Sequence, residues 1–277
     1  MQRRHFLVAA AMGSVGASIA PRRSGQAQEI PWQYDGAGTL ARFGVLTPDF
    51  DPAPESEMWA MLPRGISIHA SRVARSGGRG AVFVTPPHVD EAVDRLVELA
   101  PRAILLAYTS SSYELGLEAD ERVRTRLEQR AKGHPVIFAC AAAMRALQLL
   151  GVRRLSVIHP PWWTEDSNTQ GAAYWRAAGF EIPQCIRMQP TTQSLREVAP
   201  AELFDFVTGH TPSGADAVFL GGNGLRAIGT IQALEGRLRK PVLSANQVLL
   251  WEALRTIGQA NRVTNYGSIF ARGGATR

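Results

Sequence analysis

Two short polar segments, each ending an apolar run, carry the residue types that could do chemistry in this chain. Ala103-Ile104-Leu105-Leu106-Ala107-Tyr108 leads into Thr109-Ser110-Ser111-Ser112, and Ala217-Val218-Phe219-Leu220 leads into Gly221-Gly222-Asn223-Gly224. A buried strand that ends in hydroxyls and backbone N–H groups suits a carboxylate or a developing enolate. The same hydroxyls are equally suited to capping the next helix. The glycines of the second segment let backbone approach a ligand closely, and Arg226 beyond them has the fork geometry for a carboxylate, although an arginine there is as often simply solvated. Neither segment contains a cysteine. Only Cys140 and Cys185 are available for sulfur chemistry, which excludes a disulfide framework or a thiolate metal cluster and leaves a single disulfide open. Cys140 closes an apolar run that should end near the same place, but a lone cysteine is usually a small buried hydrophobe. His159 precedes Pro160-Pro161 and reads either as an acid–base group or, more often in such a setting, as a hydrogen-bonded structural histidine. Asp51 lies in Asp49-Phe50-Asp51-Pro52, which is also plain turn chemistry.

Several function classes drop out on spacing and charge. The six histidines show no HxxxH or HExxH pattern, so no metal site is expected. Gly222, Gly224 and Ala227 match G-x-G-x-x-A, but the dinucleotide fingerprint calls for an acid about 20 positions on, and that run ends Ser244-Ala245-Asn246. No cofactor is expected. The net charge of +6 is concentrated at the amino terminus, where Arg3, Arg4, Arg22 and Arg23 stand in a stretch without acids; the remainder has 26 basic against 24 acidic residues. Interspersed charge of this kind is not a nucleic-acid footprint.

The elements that must position the two turns follow from periodicity. From about residue 40, short β-branched runs alternate with helical patterns, the signature of βαβ units around parallel sheets. Strands are expected over 43–48, 65–73, 103–109, 135–140, 154–159, 180–188, 216–221 and 241–246. Helical stripes fall at Val93, Leu96, Val97 and Ala100, and at Val123, Leu127 and Ala131. An internal echo links 135–151 to 241–258: Pro-Val-(Ile/Leu) in both, then Ala146-Leu147 and Gly151 against Ala253-Leu254 and Gly258. The expected fold is therefore α/β, with two pseudo-symmetric lobes, each a roughly four-stranded parallel sheet flanked by helices. Parallel sheets bind ligands beyond the carboxyl ends of their strands, so the two polar turns would frame a cleft between the lobes. The first lobe is expected over 40–132, completed by 248–277, and the second over 133–247.

Residues 1–27 read as a targeting segment and 28–39 as a linker. Gln2-Arg3-Arg4-His5-Phe6-Leu7 is close to a twin-arginine pattern, the apolar stretch from Phe6 to Ala20 is short for a membrane span, and Gly25-Gln26-Ala27 offers a cleavage site after Ala27. Export of the protein to the periplasm by the twin-arginine machinery, with no stable membrane span, is the expectation.

Taken in order, Gly44-Val45-Leu46-Thr47-Pro48 with Pro54-Glu55-Ser56-Glu57, AYTSSSYELG over 107–116, Pro160-Pro161-Trp162-Trp163 with Asn168, GGNGLRA over 221–227 and SANQVLLW over 244–251 resemble the maleate isomerase and arylmalonate decarboxylase branch of the aspartate/glutamate racemase superfamily. The resemblance spans about residues 42 to 270. It implies two pseudo-symmetric lobes, no cofactor, and a small carboxylate or dicarboxylate ligand handled through carbanion-like or covalent cysteine intermediates. The family's two cysteines match Tyr108 and Gly222, so this chain has neither. A substrate-clamping tyrosine of the family matches Trp163, and an asparagine matches Asp51. Thr109, Ser110, Ser112, Gly221, Gly222, Asn223, Trp163, Asp51 and Arg226 are the expected ligand-binding residues, with Tyr108 or Cys140 as the proton-moving group. A phenol, with an ordinary pKa near 10, suits donation better than abstraction. Decarboxylation through an enediolate makes fewest demands on such a site. A non-catalytic periplasmic carboxylate-binding protein is the alternative, and a homo-oligomer stays open.

Overall fold

The computed structural model describes residues 33–74, 80–189 and 197–272. The expected export signal over 1–27 lies outside the described residues. The chain divides into a first unit ending at Asp35, of which only 33–35 are described, and a second, Gly36–Arg277, that holds every described helix and strand.

Eight strands and eight α-helices alternate in that second unit. In the first lobe they run β1 (Ala41–Pro48), α1 (Ala53–Met61), β2 (Ile66–Val73), α2 (His88–Val97), β3 (Ala103–Leu106), α3 (Thr109–Arg130), β4 (Val136–Phe138) and α4 (Ala139–Leu149). The second repeats the pattern with β5 (Arg154–His159), α5 (Glu165–Ala177), β6 (Glu181–Arg187), α6 (Pro200–His210), β7 (Ala217–Leu220), α7 (Ile228–Leu238), β8 (Val242–Ser244) and α8 (Ala245–Thr256). Each lobe carries a four-stranded parallel sheet, ordered β2-β1-β3-β4 and β6-β5-β7-β8. The identical order makes β3 the counterpart of β7 and β4 the counterpart of β8, which accounts for the echo between 135–151 and 241–258. Helices cover both faces, so Ala103–Leu106 and Ala217–Leu220 are buried at every position. β6 is an edge, half-exposed through most of its length, and Pro183 sits where its pairing with β5 shifts register, a place that does not require its missing N–H. Among the described residues no helix is long and apolar enough to cross a membrane.

The structure places the boundary between the lobes and three strand ends differently from the expectation, while the carboxyl-terminal completion of the first lobe is as expected. β4 pairs with β3, Ile104 against Val136 and Leu106 against Phe138, so the first sheet runs past residue 133 to Phe138. Helix α8 leaves the second sheet and packs on α1, β3 and β4, completing the first lobe from the carboxyl-terminal side. The runs expected as strands to 109, 140 and 246 stop earlier, at Leu106, Phe138 and Ser244. In each case the chain stays buried after the strand because it enters a helix packed between the lobes; α8 is buried from Ala245 to Leu254. A continuous apolar run cannot separate a buried strand from a buried helix start. Helix α2 ends at Val97, and Ala100 is exposed with a positive φ of 46°, off the expected stripe.

Candidate functional site

The carboxyl ends of β3 and β7 meet at a cavity of about 560 Å³. Tyr108, Thr109 and Ser110 line it from the first turn, and Gly222, Asn223 and Gly224 from the second. Phe50, Asp51, Pro52 and Ala53 come from the loop into α1, Trp162, Trp163, Thr164 and Ser167 from the loop into α5, and Arg226, Glu197 and Gly80 complete the wall.

Hydrogen bonds tie the turns to each other. The Thr109 N–H donates to Asn223 Oδ1 at 2.9 Å, and the Gly222 N–H donates to Thr109 Oγ1 at 3.1 Å. Behind them Asn223 Nδ2 donates to Asn246 Oδ1 at 2.8 Å, while Asn246 Nδ2 donates to the Asn223 carbonyl and to Glu57 Oε2, both at 2.8 Å. Among the described residues, the N–H groups of Ser110, Asn223 and Gly224 and the hydroxyls of Tyr108 and Ser110 have no acceptor or donor within the protein. Two of these N–H groups come from a glycine-rich turn and one from the first turn of α3, where helix geometry leaves donors unused. Arg226 is exposed and forms no ion pair among the described residues. The residues lining this one cavity thus include neutral donors without a protein acceptor and one cation, the kinds of group a carboxylate binds.

Gly222 is bound to its conformation. Its φ is +85°, and a Cβ built there would stand 2.8 Å and 2.9 Å from ring carbons of Pro160. Gly224 meets a different limit, since a Cβ would fall 2.8 Å from Asp51 Oδ2. Asp51 itself accepts the Ala53 N–H at 3.1 Å, capping α1 and bringing that lobe against the glycine turn.

Three residues expected at the site do not reach the cavity. Cys140 is fully buried at the start of α4 with its Sγ 3.8 Å from the Thr109 carbonyl, and burial pushes its thiol well above the usual range. Ser112 points into the interior beside Asp120 on α3. Gly221 is packed under the floor, where a Cβ would meet His159 at 2.6 Å. Cys140 and Cys185 are both free thiols, and burial raises Cys185 to about 12. Neither is a thiolate at neutral pH.

His159 is structural. It is wholly buried, stacked on Trp163 with ring centroids 4.5 Å apart, and its Nδ1 lies 2.8 Å from Asn168 Oδ1. Trp175 Nε1 donates to the Tyr113 hydroxyl at 2.8 Å, which stands 3.4 Å from His159 Nε2. Those partners place the proton on Nδ1. Burial lowers the imidazole to about 4, so the ring is neutral and holds Trp163 against the cavity.

Two carboxyls are raised by burial. Glu57 on α1 goes to about 7, against the lowering effect of the Ile228 N–H, the Asn246 amide and the Ala227 N–H, and Asp120 goes to about 6. A raised acid stabilises the fold fully below its free-chain value and loses that contribution as pH rises through its folded value. A lowered imidazole contributes above its free-chain value and loses it as pH falls through 4. His159 thus offsets one of the acids, and the net is a loss of about 3 kcal/mol between pH 4.5 and 7.5. Urea denaturation across that range should show the decline; a flat or rising profile would contradict it.

Glu57, Phe50, Trp162, Thr164, Ser167 and Glu197 were not legible as site residues. Glu57 lies inside a charged helix start, and only its neighbours in space distinguish it from a solvated acid.

Similarity to known proteins agrees with this geometry. The family model described as arylmalonate decarboxylase matches residues 80–270. A maleate isomerase of Geobacillus stearothermophilus is 26% identical over 253 residues, covering 83% of this chain and 97% of that one. An arylmalonate decarboxylase of Bordetella bronchiseptica is 25% identical over 206 residues, covering 70% and 85%. The crystal structure of a maleate isomerase from Pseudomonas putida S16 with maleate superimposes with a TM-score of 0.76 at 19% identity, covering 83% of this chain and 97% of its own. With a cleft framed by two strand-end turns and a family match over more than two thirds of its length, this chain belongs to the arylmalonate decarboxylase family, whose named relatives are decarboxylases and isomerases.

Proposed function

We propose that the protein is a cofactor-independent decarboxylase of a small malonate-type dicarboxylate. The observation that carries the reading is the set of unused donors, the N–H groups of Ser110, Asn223 and Gly224, on one cavity floor. One carboxylate would sit on these donors. The second would stand against the apolar and aromatic wall of Phe50, Trp162 and Trp163, where its charge is poorly solvated. Cleavage of the bond to that second carboxylate releases CO₂ and leaves the electron pair on the α-carbon, delocalised as an enediolate onto the retained carboxylate. Each well-aimed donor lowers that barrier by about 3 kcal/mol. A proton from the Tyr108 hydroxyl then completes the product, and the phenolate left behind takes a proton from water to restore the starting state. Isomerisation through a cysteine adduct is not supported, because Tyr108 and Gly222 occupy the two thiol positions.

A panel of malonates, arylmalonates, maleate and related dicarboxylates, read by thermal shift and by product detection, tests this directly. Active members should raise the melting temperature and yield CO₂, and Ser110→Ala should weaken both effects by about fivefold through loss of one hydroxyl. Stabilisation without any product would support a carboxylate-binding protein instead; no stabilisation across the panel would remove the carboxylate reading. Export to the periplasm is carried in this proposal on Arg3-Arg4 and the apolar stretch behind them. Recovery of the protein from the cytoplasmic fraction of its host would remove that part.

A further inference from the structure

Glu57 belongs to α1 in the first lobe, yet all its partners lie on elements of the second lobe or on the helix that leaves it. Its Oε1 accepts the Ala227 N–H at 2.5 Å and the Ile228 N–H at 3.0 Å, at the start of α7, and its Oε2 accepts Asn246 Nδ2 at 2.8 Å. The side chain is 5% exposed and does not line the main cavity. As a cap alone, it would need only the first two bonds.

The direction of the remaining bonds depends on it. Backbone N–H groups can only donate, so Oε1 is committed as an acceptor, and in the carboxylate form Oε2 can only accept as well. That obliges Asn246 to turn its Nδ2 toward Glu57, where it also reaches the Asn223 carbonyl at 2.8 Å. Asn246 Oδ1 then faces Asn223, which must present Nδ2 to it and Oδ1 to the Thr109 N–H. Reversing any one amide would place an NH₂ against another donor, a buried mismatch. The chain of bonds leaves the first lobe at Glu57, passes through both asparagines and returns to the first lobe at Thr109.

We propose that Glu57 is a positioning residue that sets, through Asn246 and Asn223, which atom of Asn223 meets the Thr109 N–H, and thereby the spacing of the two ligand-binding turns. The link to substrate rests on the carboxylate reading of those turns; the link between Glu57 and Thr109 does not. Glu57→Gln tests it. In either orientation the new amide leaves one donor facing a donor, at α7 or at Asn246.

Amide-resolved hydrogen exchange on the full chain is the measurement. In Glu57→Gln the Thr109 amide should exchange about tenfold faster, while the amides of β3 keep their rates. The double variant Glu57→Gln/Asn246→Asp gives the new amide at position 57 an acceptor at 246, leaves a carboxylate oxygen for Asn223 Nδ2, and should return most of the Thr109 protection. Unchanged Thr109 exchange in folded Glu57→Gln, or no recovery in the double variant, overturns the proposal, since a helix cap would perturb only the amides at the start of α7. If Glu57→Gln does not fold, Asn246→Ala, which removes the acceptor that orients the Asn223 amide, should accelerate the same amide, and its failure to do so is equally decisive. A second arm measures the melting-temperature rise given by phenylmalonate or maleate. It should be present in wild type and lost in Glu57→Gln; its absence in wild type would remove the carboxylate reading and leave the exchange result standing by itself.

Discussion

Tyr108→Phe should lower product formation by about 100-fold or more while leaving KM within a few fold. Decarboxylation leaves an electron pair on the α-carbon, and a group on the cavity wall must supply the proton. Tyr108 occupies the N-cap position of α3 with φ −155° and ψ 86°, its ring 4.3 Å from that of Phe83, so the phenol is held at the mouth of the first turn. Its hydroxyl has no partner among the described residues. The competing proton sources on the wall are less suited. Asp51 has one oxygen on the Ala53 N–H and the other close against Gly224, and aliphatic hydroxyls of Thr109 and Ser110 are weaker acids than a phenol. Removing one oxygen preserves the ring and its contact with Phe83, so the loss should appear in turnover rather than folding. Steady-state rates together with deuterium uptake at the α-carbon in D₂O are the check. Unchanged turnover would clear Tyr108 and point to Asp51 or Glu197.

Gly222→Cys should be the most damaging single change in the cavity, with about 3 kcal/mol of stability lost and no thiol-dependent activity gained. The family resemblance matches this position with a thiol, so introducing one is the obvious experiment. A φ of +85° strains any side chain, and the new Cβ would overlap the Pro160 ring at 2.8 Å. Tyr108→Cys makes the contrast. There the backbone is extended and the side chain already opens into the cavity, so a cysteine fits without strain. Tyr108→Cys should lose only the packing of the ring against Phe83, so Gly222→Cys should have the lower urea midpoint of the two. A Gly222→Cys protein as stable as wild type, with a thiol that alkylates from the cavity, would show that Pro160 yields easily and that the second thiol position is still usable.

The contrast between positions 108 and 222 marks the line between what was legible in the residues and what was not. The alternation of β-branched runs with helical stripes determined two parallel sheets, because the central strands are buried on both faces and read as unbroken apolar runs. The echo between 135–151 and 241–258 determined their pseudo-symmetry, since equivalent places in two like sheets face like surroundings. The hydroxyl turn and the glycine turn were visible for the same reason: both follow strands whose ends must open on a cleft. That Cys140, Ser112 and Gly221 miss the cavity was decided only by the fold, because Cys140 and Ser112 lie in the opening turns of α4 and α3, where rotation about the helix sets which side chains face the interior, and Gly221 is packed against His159. The reach of Glu57 was decided there too. It spans 170 residues of sequence to the Ala227 N–H, and nothing local to Pro54-Glu55-Ser56-Glu57 distinguishes an acid that water solvates from one that three buried donors hold. Composition and periodicity act over neighbours in the chain, whereas hydrogen-bond direction and the room for a Cβ are properties of neighbours in space.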